Sequence, residues 1–237
     1  MTNHTADVLP NKTARVAGLL YLSLVPLSLF GMLFVSPLLV PGDAATTAKN
    51  ILASETLFRL SSVIALIVQL VNILVVLALY RLLNRVNKTM AVLMVVFFLA
   101  GVPIAMFNEL NYFAIPLLLN GADYLTLFTA NQVQALVSLF LDLHQHGLFI
   151  AGIFWGLWLF PMGYLVFKSG FLPRILGVLL MIGCLGYLVD SFSAFLLPTY
   201  EVKIAMFTFW GEVLFPLWLL IKGVNVEQWE KRAREAT

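Results

Sequence analysis

Cysteine is nearly absent from this sequence: Cys184 stands alone among 237 residues. One thiol permits neither an intrachain disulfide nor a cysteine-based zinc site. Its place inside an apolar run points to inert packing. Charge is scarce too. Asp, Glu, Lys and Arg make up 11 % of the chain, against about a quarter in soluble domains, which excludes a water-solvated surface. Fourteen basic and twelve acidic residues leave a net charge of +2, too little to imply nucleic acid, and no basic run alternates with aromatics. The sequence contains no HExxH, no nucleophile elbow and no helical histidine pair at i,i+4. No internal repeat, low-complexity tract or long linker occurs, so a single domain is the simplest expectation.

What is present is apolar length. Apolar residues form 61 % of the chain and the mean hydropathy is +0.96. Windows of about 20 apolar residues fall at 15–40, 57–80, 89–118, 147–167, 174–197 and 204–222. Short separators carry turn chemistry: Pro41-Gly42-Asp43, Asn84 to Lys88, Asn120 to Asp123, Ser169-Gly170 and Pro198 to Glu201. The expectation is an all-α integral membrane bundle of six transmembrane helices. An even count places both termini on one side. Lys12, Arg15, Arg81, Arg85, Lys88, Lys168, Arg174, Lys222, Lys231, Arg232 and Arg234 share that side, and only Lys49, Arg59 and Lys203 fall on the other. The positive-inside rule makes the termini cytoplasmic. The first span lacks a small-residue cleavage site and is expected to be a retained signal anchor. Tyr21, Tyr80, Tyr164, Trp210 and Trp218 are placed as interface anchors in part. The charged tail 225–237 is expected to rest as a helix at the inner head groups.

Several stretches together resemble a known family. They are NILASETLFRL (50–60), LYRLLNRVNK (79–88), GLWLFPMGYLVFKSGFLPRILGVLL (156–180), YLVDS (187–191) and GEVLFPLWLLIKGV (211–224). They resemble the domain of unknown function 4386 family, and the resemblance covers nearly the whole chain. It implies a six-helix protein of the bacterial inner membrane and no established reaction. His146 matches a histidine that the resemblance places before GLFIAGIFWGLW.

Ionisable residues inside hydrocarbon cost at least ~2.5–3.5 kcal/mol at a helix centre, so they are expected to face the bundle or a wet cavity. Rising about 1.5 Å per residue from the inner ends, Glu109 stands roughly 28 Å up and Asp190 roughly 24 Å up. Arg59 opens the second span from outside, and His144 and His146 precede the fourth. Glu212 lies near mid-membrane. Arg59, Glu109, His144 or His146, and Asp190 converge on the outer third with Glu212 deeper, and with the Asp142–His146 pair the expected ligand-binding set is Arg59, Glu109, Asp142, His146, Asp190 and Glu212. Arg59, Ser62, Gln69 and Asn72 form one ridge by helical phase. Tyr187 lies one turn below Asp190, with its hydroxyl placed to reach that carboxylate. Pro216 lacks the N–H that would bond the carbonyl of Glu212, freeing a carbonyl and a carboxylate of one residue, as at cation sites in broken transporter helices. The alternative is a plain proline kink.

The stretch FLDLHQHGLFIAGIFWGLW (140–158) concentrates the histidines. His144 and His146 lie about 200° apart on a helix, so a regular helix cannot bring both to one metal. Asp142 and His146 are i and i+4, and the carboxylate is placed to orient the imidazole. Thr129 and Gln132 form a capping box opening a helix near residue 130. Continued to Lys168 it would run about 58 Å, nearly twice the hydrocarbon thickness. The expectation is therefore a short outer cap helix before the fourth span, bent near Gly147, or a helix projecting from the membrane. Gly152 and Gly156 form a GxxxG face for close packing, within the monomer rather than between copies.

Three functions stay open. The preferred one is a polar, outward-opening intramembrane pocket that binds or transports a small solute, ion or lipid head group. The second is an intramembrane enzyme using His146 with Glu or Asp as acid, base or metal ligands. The third is a structural or sensory protein without a ligand. No catalytic residue or cofactor is assignable, a metal is left open, and the expected partner is the lipid bilayer. Retinal chemistry is disfavoured because no lysine lies mid-span, and haem because the nearby histidines diverge.

Overall fold

A computed structural model describes residues 4–121, 127–197 and 202–235. Ala122 and Asp123 of one expected turn, and Pro198 to Glu201 of another, lie outside them. The described residues form helices and no strand. They are α1 (His4–Phe30), α2 (Ala44–Ala53), α3 (Glu55–Leu83), α4 (Lys88–Leu119), α5 (Ala130–Leu157), α6 (Leu159–Ser169), α7 (Arg174–Leu196), α8 (Ala205–Thr208), α9 (Trp210–Ile221) and α10 (Val226–Glu235). Gly31–Val35 prolongs α1 as a π-turn and Ser36–Leu38 as a 3₁₀ turn.

Short polar side chains start the helices where the sequence places them. The Asp43 carboxylate accepts from Thr46 N–H at 2.9 Å and opens α2. Asn87 Oδ1 accepts from Met90 N–H at 3.0 Å ahead of α4. The Thr129–Gln132 box closes as expected, with Thr129 N–H donating to Gln132 Oε1 at 2.8 Å. Asn225 Oδ1 takes Gln228 N–H at 3.1 Å to begin α10. Each supplies an acceptor for first-turn N–H groups that have no partner within the helix. Gly170 ends α6 at φ 77°, a left-handed conformation that a Cβ disfavours.

Among the described residues, five helical stretches are long and apolar enough to cross a membrane: Pro10–Leu38, Glu55–Leu83, Lys88–Leu119, Ala130–Ser169 and Arg174–Leu196. The sixth expected span, Ala205–Ile221, passes the same test only together with Val226–Glu235, from which it is bent by 101°. Its 17 residues reach about 26 Å, short of the hydrocarbon core of about 30 Å.

The fourth stretch corrects one expectation. The helix does not break at Gly147: α5 runs unbroken from Ala130 to Leu157, and the interruption comes at Trp158. A glycine inside a helix costs only about 1 kcal/mol, and here its missing side chain makes room for Asn108, which a Cβ on Gly147 would strike. Close approach, not flexibility, explains that glycine.

The described residues cluster into two compact units. The first comprises the described parts of Met1–Ser23, Val71–Val102 and Phe149–Thr237. Glycines set its helix spacing. A Cβ on Gly177 of α7 would lie 2.5 Å from Gly163 O of α6, and one on Gly211 of α9 would lie 2.7 Å from the backbone of α7 at Leu180. The Gly152–Gly156 face of α5 meets α7, where added Cβ atoms would stand 2.9 Å from Ser191 Oγ and 2.9 Å from Tyr187 Cβ. Small residues admit such approach, which replaces the missing hydrophobic drive between helices in lipid. Cys184 is buried in this packing. At one end of the unit, Asn11 Oδ1 accepts from Val224 N–H at 2.9 Å, and Phe171 O accepts from Asn225 N–H at 3.1 Å. The start of α1, the α6–α7 turn and the α9–α10 turn therefore share that end.

The second unit comprises Leu24–Leu70 and Pro103–Leu148. Its core joins Val35, Ile51, Phe58, Ile115 and Val137, with Tyr112 and Phe140 packed against them.

Candidate functional site

In the first unit the site is built on Glu212. This carboxylate stands near the start of α9, where the turn at Phe209 takes Glu212 N–H onto Phe209 O at 2.8 Å. One carboxylate oxygen, Oε2, accepts from the Tyr21 hydroxyl at 3.0 Å. The Tyr187 hydroxyl approaches the same carboxyl group. The other oxygen, Oε1, is enclosed and has no hydrogen-bond partner of normal geometry. Tyr21 is buried and held by its ring against Trp158, centroids 5.9 Å apart, while Phe98 meets Trp158 edge-on at 4.8 Å. Four residues on, Pro216 lies inside α9 and supplies no N–H to the Glu212 carbonyl. One residue thus presents a carbonyl without its helical donor and a carboxylate oxygen without a donor. Unpaired buried acceptors of this kind cost about 1–3 kcal/mol and are suited to a proton or a cation.

Asp190 sits elsewhere. Its two oxygens accept from Ile204 N–H at 2.6 Å and Ala205 N–H at 2.9 Å, so its carboxylate caps the start of α8 across a gap of fourteen residues in sequence. The Tyr187 hydroxyl, expected to reach Asp190, also approaches Glu212, because α7 packs against α9.

In the second unit the polar centre is a buried cluster on α4 and α5. His144 Nε2 meets Glu109 Oε1 at 3.1 Å. The Tyr112 ring stacks on the imidazole, 3.5 Å between centroids, and Phe58 packs on the other side of Tyr112 at 4.9 Å. Asn108 donates to the His144 carbonyl at 2.8 Å and accepts from Asn111 at 3.0 Å. Glu109, Asn108 and His144 are all buried. A histidine–carboxylate pair shielded this way can hold or pass one proton.

The other expected residues of this unit are placed outside that cluster. Asp142 and His146 are exposed, and the His146 Nδ1 atom bonds with the Asp142 backbone carbonyl at 2.8 Å. Arg59 bonds Glu55 at 2.6 Å, and the same Glu55 oxygen accepts from Asn120 at 3.1 Å. Gln69 is buried with its Oε1 unpartnered.

Sequence reasoning preferred His146 to His144 and left Tyr112 and Tyr21 out of the candidate set. A signal for His144 existed. Val137, Leu141, His144, Leu148 and Ala151 form one stripe at helical spacing, whereas Leu139, Leu143 and Ile150 flank Asp142 and His146 on the exposed face. Among the described residues no group of three or more His, Cys, Asp or Glu side chains is arranged to hold a metal ion.

These features define the class: a multi-pass helical membrane protein with carboxylates buried among its apolar helices. Comparison with known proteins then places it. Residues 16–223 match the family described as Domain of unknown function (DUF4386), and the chain belongs to that family. An uncharacterized protein of Archaeoglobus fulgidus is 47 % identical over 76 residues, which is 32 % of this chain and 46 % of that protein. The chain thus spans about half the length of that curated relative. No solved structure matches.

Proposed function

We propose that the protein binds, and moves across the membrane, a small ion or solute at Glu212, with protons and small monovalent cations as the first class to consider. The observation that carries this reading is the enclosed Oε1 of Glu212, unpartnered at normal geometry, on a residue whose carbonyl loses its i+4 helical donor to Pro216. A purely structural buried carboxylate is expected to satisfy both oxygens. The proposal keeps Asp190 in the same unit as a ligand-binding candidate, and Arg59, Glu109, Asp142 and His146 in the other. Solute and lipid head group remain within its range.

The setting is part of the proposal. The membrane is the bacterial inner, or plasma, membrane, with six crossings and cytoplasmic termini, supported by the basic residues gathered at the end where Asn11 meets Val224. The first half of α5 stands as an outer cap, since a 40-residue helical stretch reaches about 60 Å, twice the hydrocarbon thickness.

The test is flux in proteoliposomes. Vesicles loaded with a pH-sensitive dye report proton movement under an imposed gradient, and radiolabelled sodium reports the cation. Flux above that of protein-free vesicles, lost in Glu212→Gln and in Glu212→Ala, is the expected result. Flux equal to that of empty vesicles for both probes refutes the proton and monovalent-cation reading, and flux unchanged in both variants refutes the role of Glu212.

A second reading, acid–base chemistry, is favoured by one observation: the buried His144–Glu109 pair. It requires a substrate to reach a histidine that Tyr112 covers.

A further inference from the structure

The first unit carries a second polar site at its basic end. A pocket of about 360 Å³ opens between Pro10 and Thr13 of α1, Arg81 with Asn84 and Arg85 at the end of α3, and Trp229 of α10. That volume falls within the range of about 300–1,000 Å³ of small-molecule sites.

The charge in this pocket is not neutralised from within. Among the described residues, neither Arg81 nor Arg85 has a carboxylate within 4.0 Å. Arg85 instead lies over the Trp229 ring, 4.6 Å from its centroid. That cation–π contact holds the Arg85 charge at the pocket without a carboxylate partner. Trp229 is itself fixed: its indole N–H donates to Leu82 O at 3.1 Å. A second tie holds the same helix, with Arg232 donating to Lys168 O at 3.2 Å. Arg85 is thus presented on an aromatic platform that is itself tied down, with Arg81 one helical turn away.

Position supplies the ligand. α10 turns 101° away from the stretch Ala205–Ile221, so with that stretch crossing the bilayer it runs along the membrane surface. Its sequence VEQWEKRARE is charged with one large aromatic, the composition of a head-group-level helix. The anion most abundant at that depth is phosphate, which matches the forked donors of arginine.

We propose that this pocket is a phosphate-binding site, in which Arg81 and Arg85 hold one anionic phosphate with Asn84 and Thr13 at its edge. The phosphate belongs to an anionic phospholipid head group or to a free phosphate ion. The site is independent of Glu212, and loss of flux in Glu212 variants would leave it standing.

The full chain, purified in detergent and stripped of lipid, is titrated with short-chain phosphatidylglycerol, with short-chain phosphatidylcholine and with inorganic phosphate, and bound ligand is counted by native mass spectrometry. Saturable one-to-one binding of phosphatidylglycerol is expected, weaker by about tenfold or more in Arg81→Gln/Arg85→Gln and partly restored in Arg81→Lys/Arg85→Lys. Binding of inorganic phosphate with the same dependence also supports the site and assigns it to the free ion. The control Lys88→Gln/Lys222→Gln removes the same charge outside the pocket. Equal loss in that control, binding of phosphatidylcholine to wild type as tight as that of phosphatidylglycerol, or no binding of phosphatidylglycerol or inorganic phosphate overturns the proposal. Gel filtration and thermal unfolding of each variant exclude misfolding, to which these exposed arginines contribute little.

Discussion

Replacing Tyr21 with Phe removes one hydroxyl and leaves the ring against Trp158, so the change isolates the 3.0 Å bond to Glu212 Oε2. Its magnitude depends on the state of the carboxyl group. Side-chain bonds between helices in membranes average ~0.6 kcal/mol and reach ~1.7 kcal/mol, whereas a bond to a charged partner contributes about 1.5–3 kcal/mol. Since Oε1 already lacks a partner, the Phe variant strips Oε2 of its Tyr21 donor and leaves only the approach of Tyr187. An ionised Glu212 therefore predicts a destabilisation of about 1.5–3 kcal/mol, and a protonated one about 0.6–1.7 kcal/mol. The assay is a double-mutant cycle with Glu212→Leu, read by reversible unfolding in mixed micelles at two pH values. Coupling that shrinks as pH falls identifies the carboxyl as the titrating partner. Coupling below about 0.5 kcal/mol, the limit of ordinary additivity, at both pH values would refute the bond and the site built on it.

Two further outcomes test the packing and the caps. Gly177→Ala is expected to destabilise by about 1–3 kcal/mol, because the atoms its Cβ would meet are backbone of α6 at Gly163 and Phe167; a variant as stable as wild type in the same unfolding assay would show that α6 and α7 can separate freely. Asp43 is held below the usual carboxylate range, first by the Thr46 hydroxyl and then by its N–H. Its contribution to α2 is therefore present above the unfolded value of about 3.9 and is lost as pH falls through it to the lower folded value. Amide protection factors in the first turn of α2 should drop between about pH 6 and pH 3, and an unchanged drop in Asp43→Asn would refute that origin.

The helical caps were legible because they are local. Thr129 was read as a cap from the sequence, and Asp43, Asn87 and Asn225 act over the same three residues, a distance the chain sets by itself. The GxxxG face of Gly152 and Gly156 was legible as a packing face, though not that α7 occupies it. Gly147 misled for the same reason: read locally a glycine weakens a helix, but here it admits the Asn108 side chain from α4. His146 was preferred to His144 on a relation inside one helix, and the decisive partner, Glu109, lies 35 residues from His144.

Composition alone determined the class. With 11 % charged residues the chain cannot solvate itself, and apolar runs long enough for a bilayer follow from counting at about 1.5 Å per residue. Glu212 and Pro216 were visible together because four residues make one helical turn. Tertiary structure decided which polar groups are satisfied. Asp190 became a cap for α8, Tyr187 joined Glu212, and His144 joined Glu109. The physical reason is that hydrogen bonds reach about 3 Å, and bringing groups from different helices to that distance depends on the rotation and approach of each helix, which no single segment encodes.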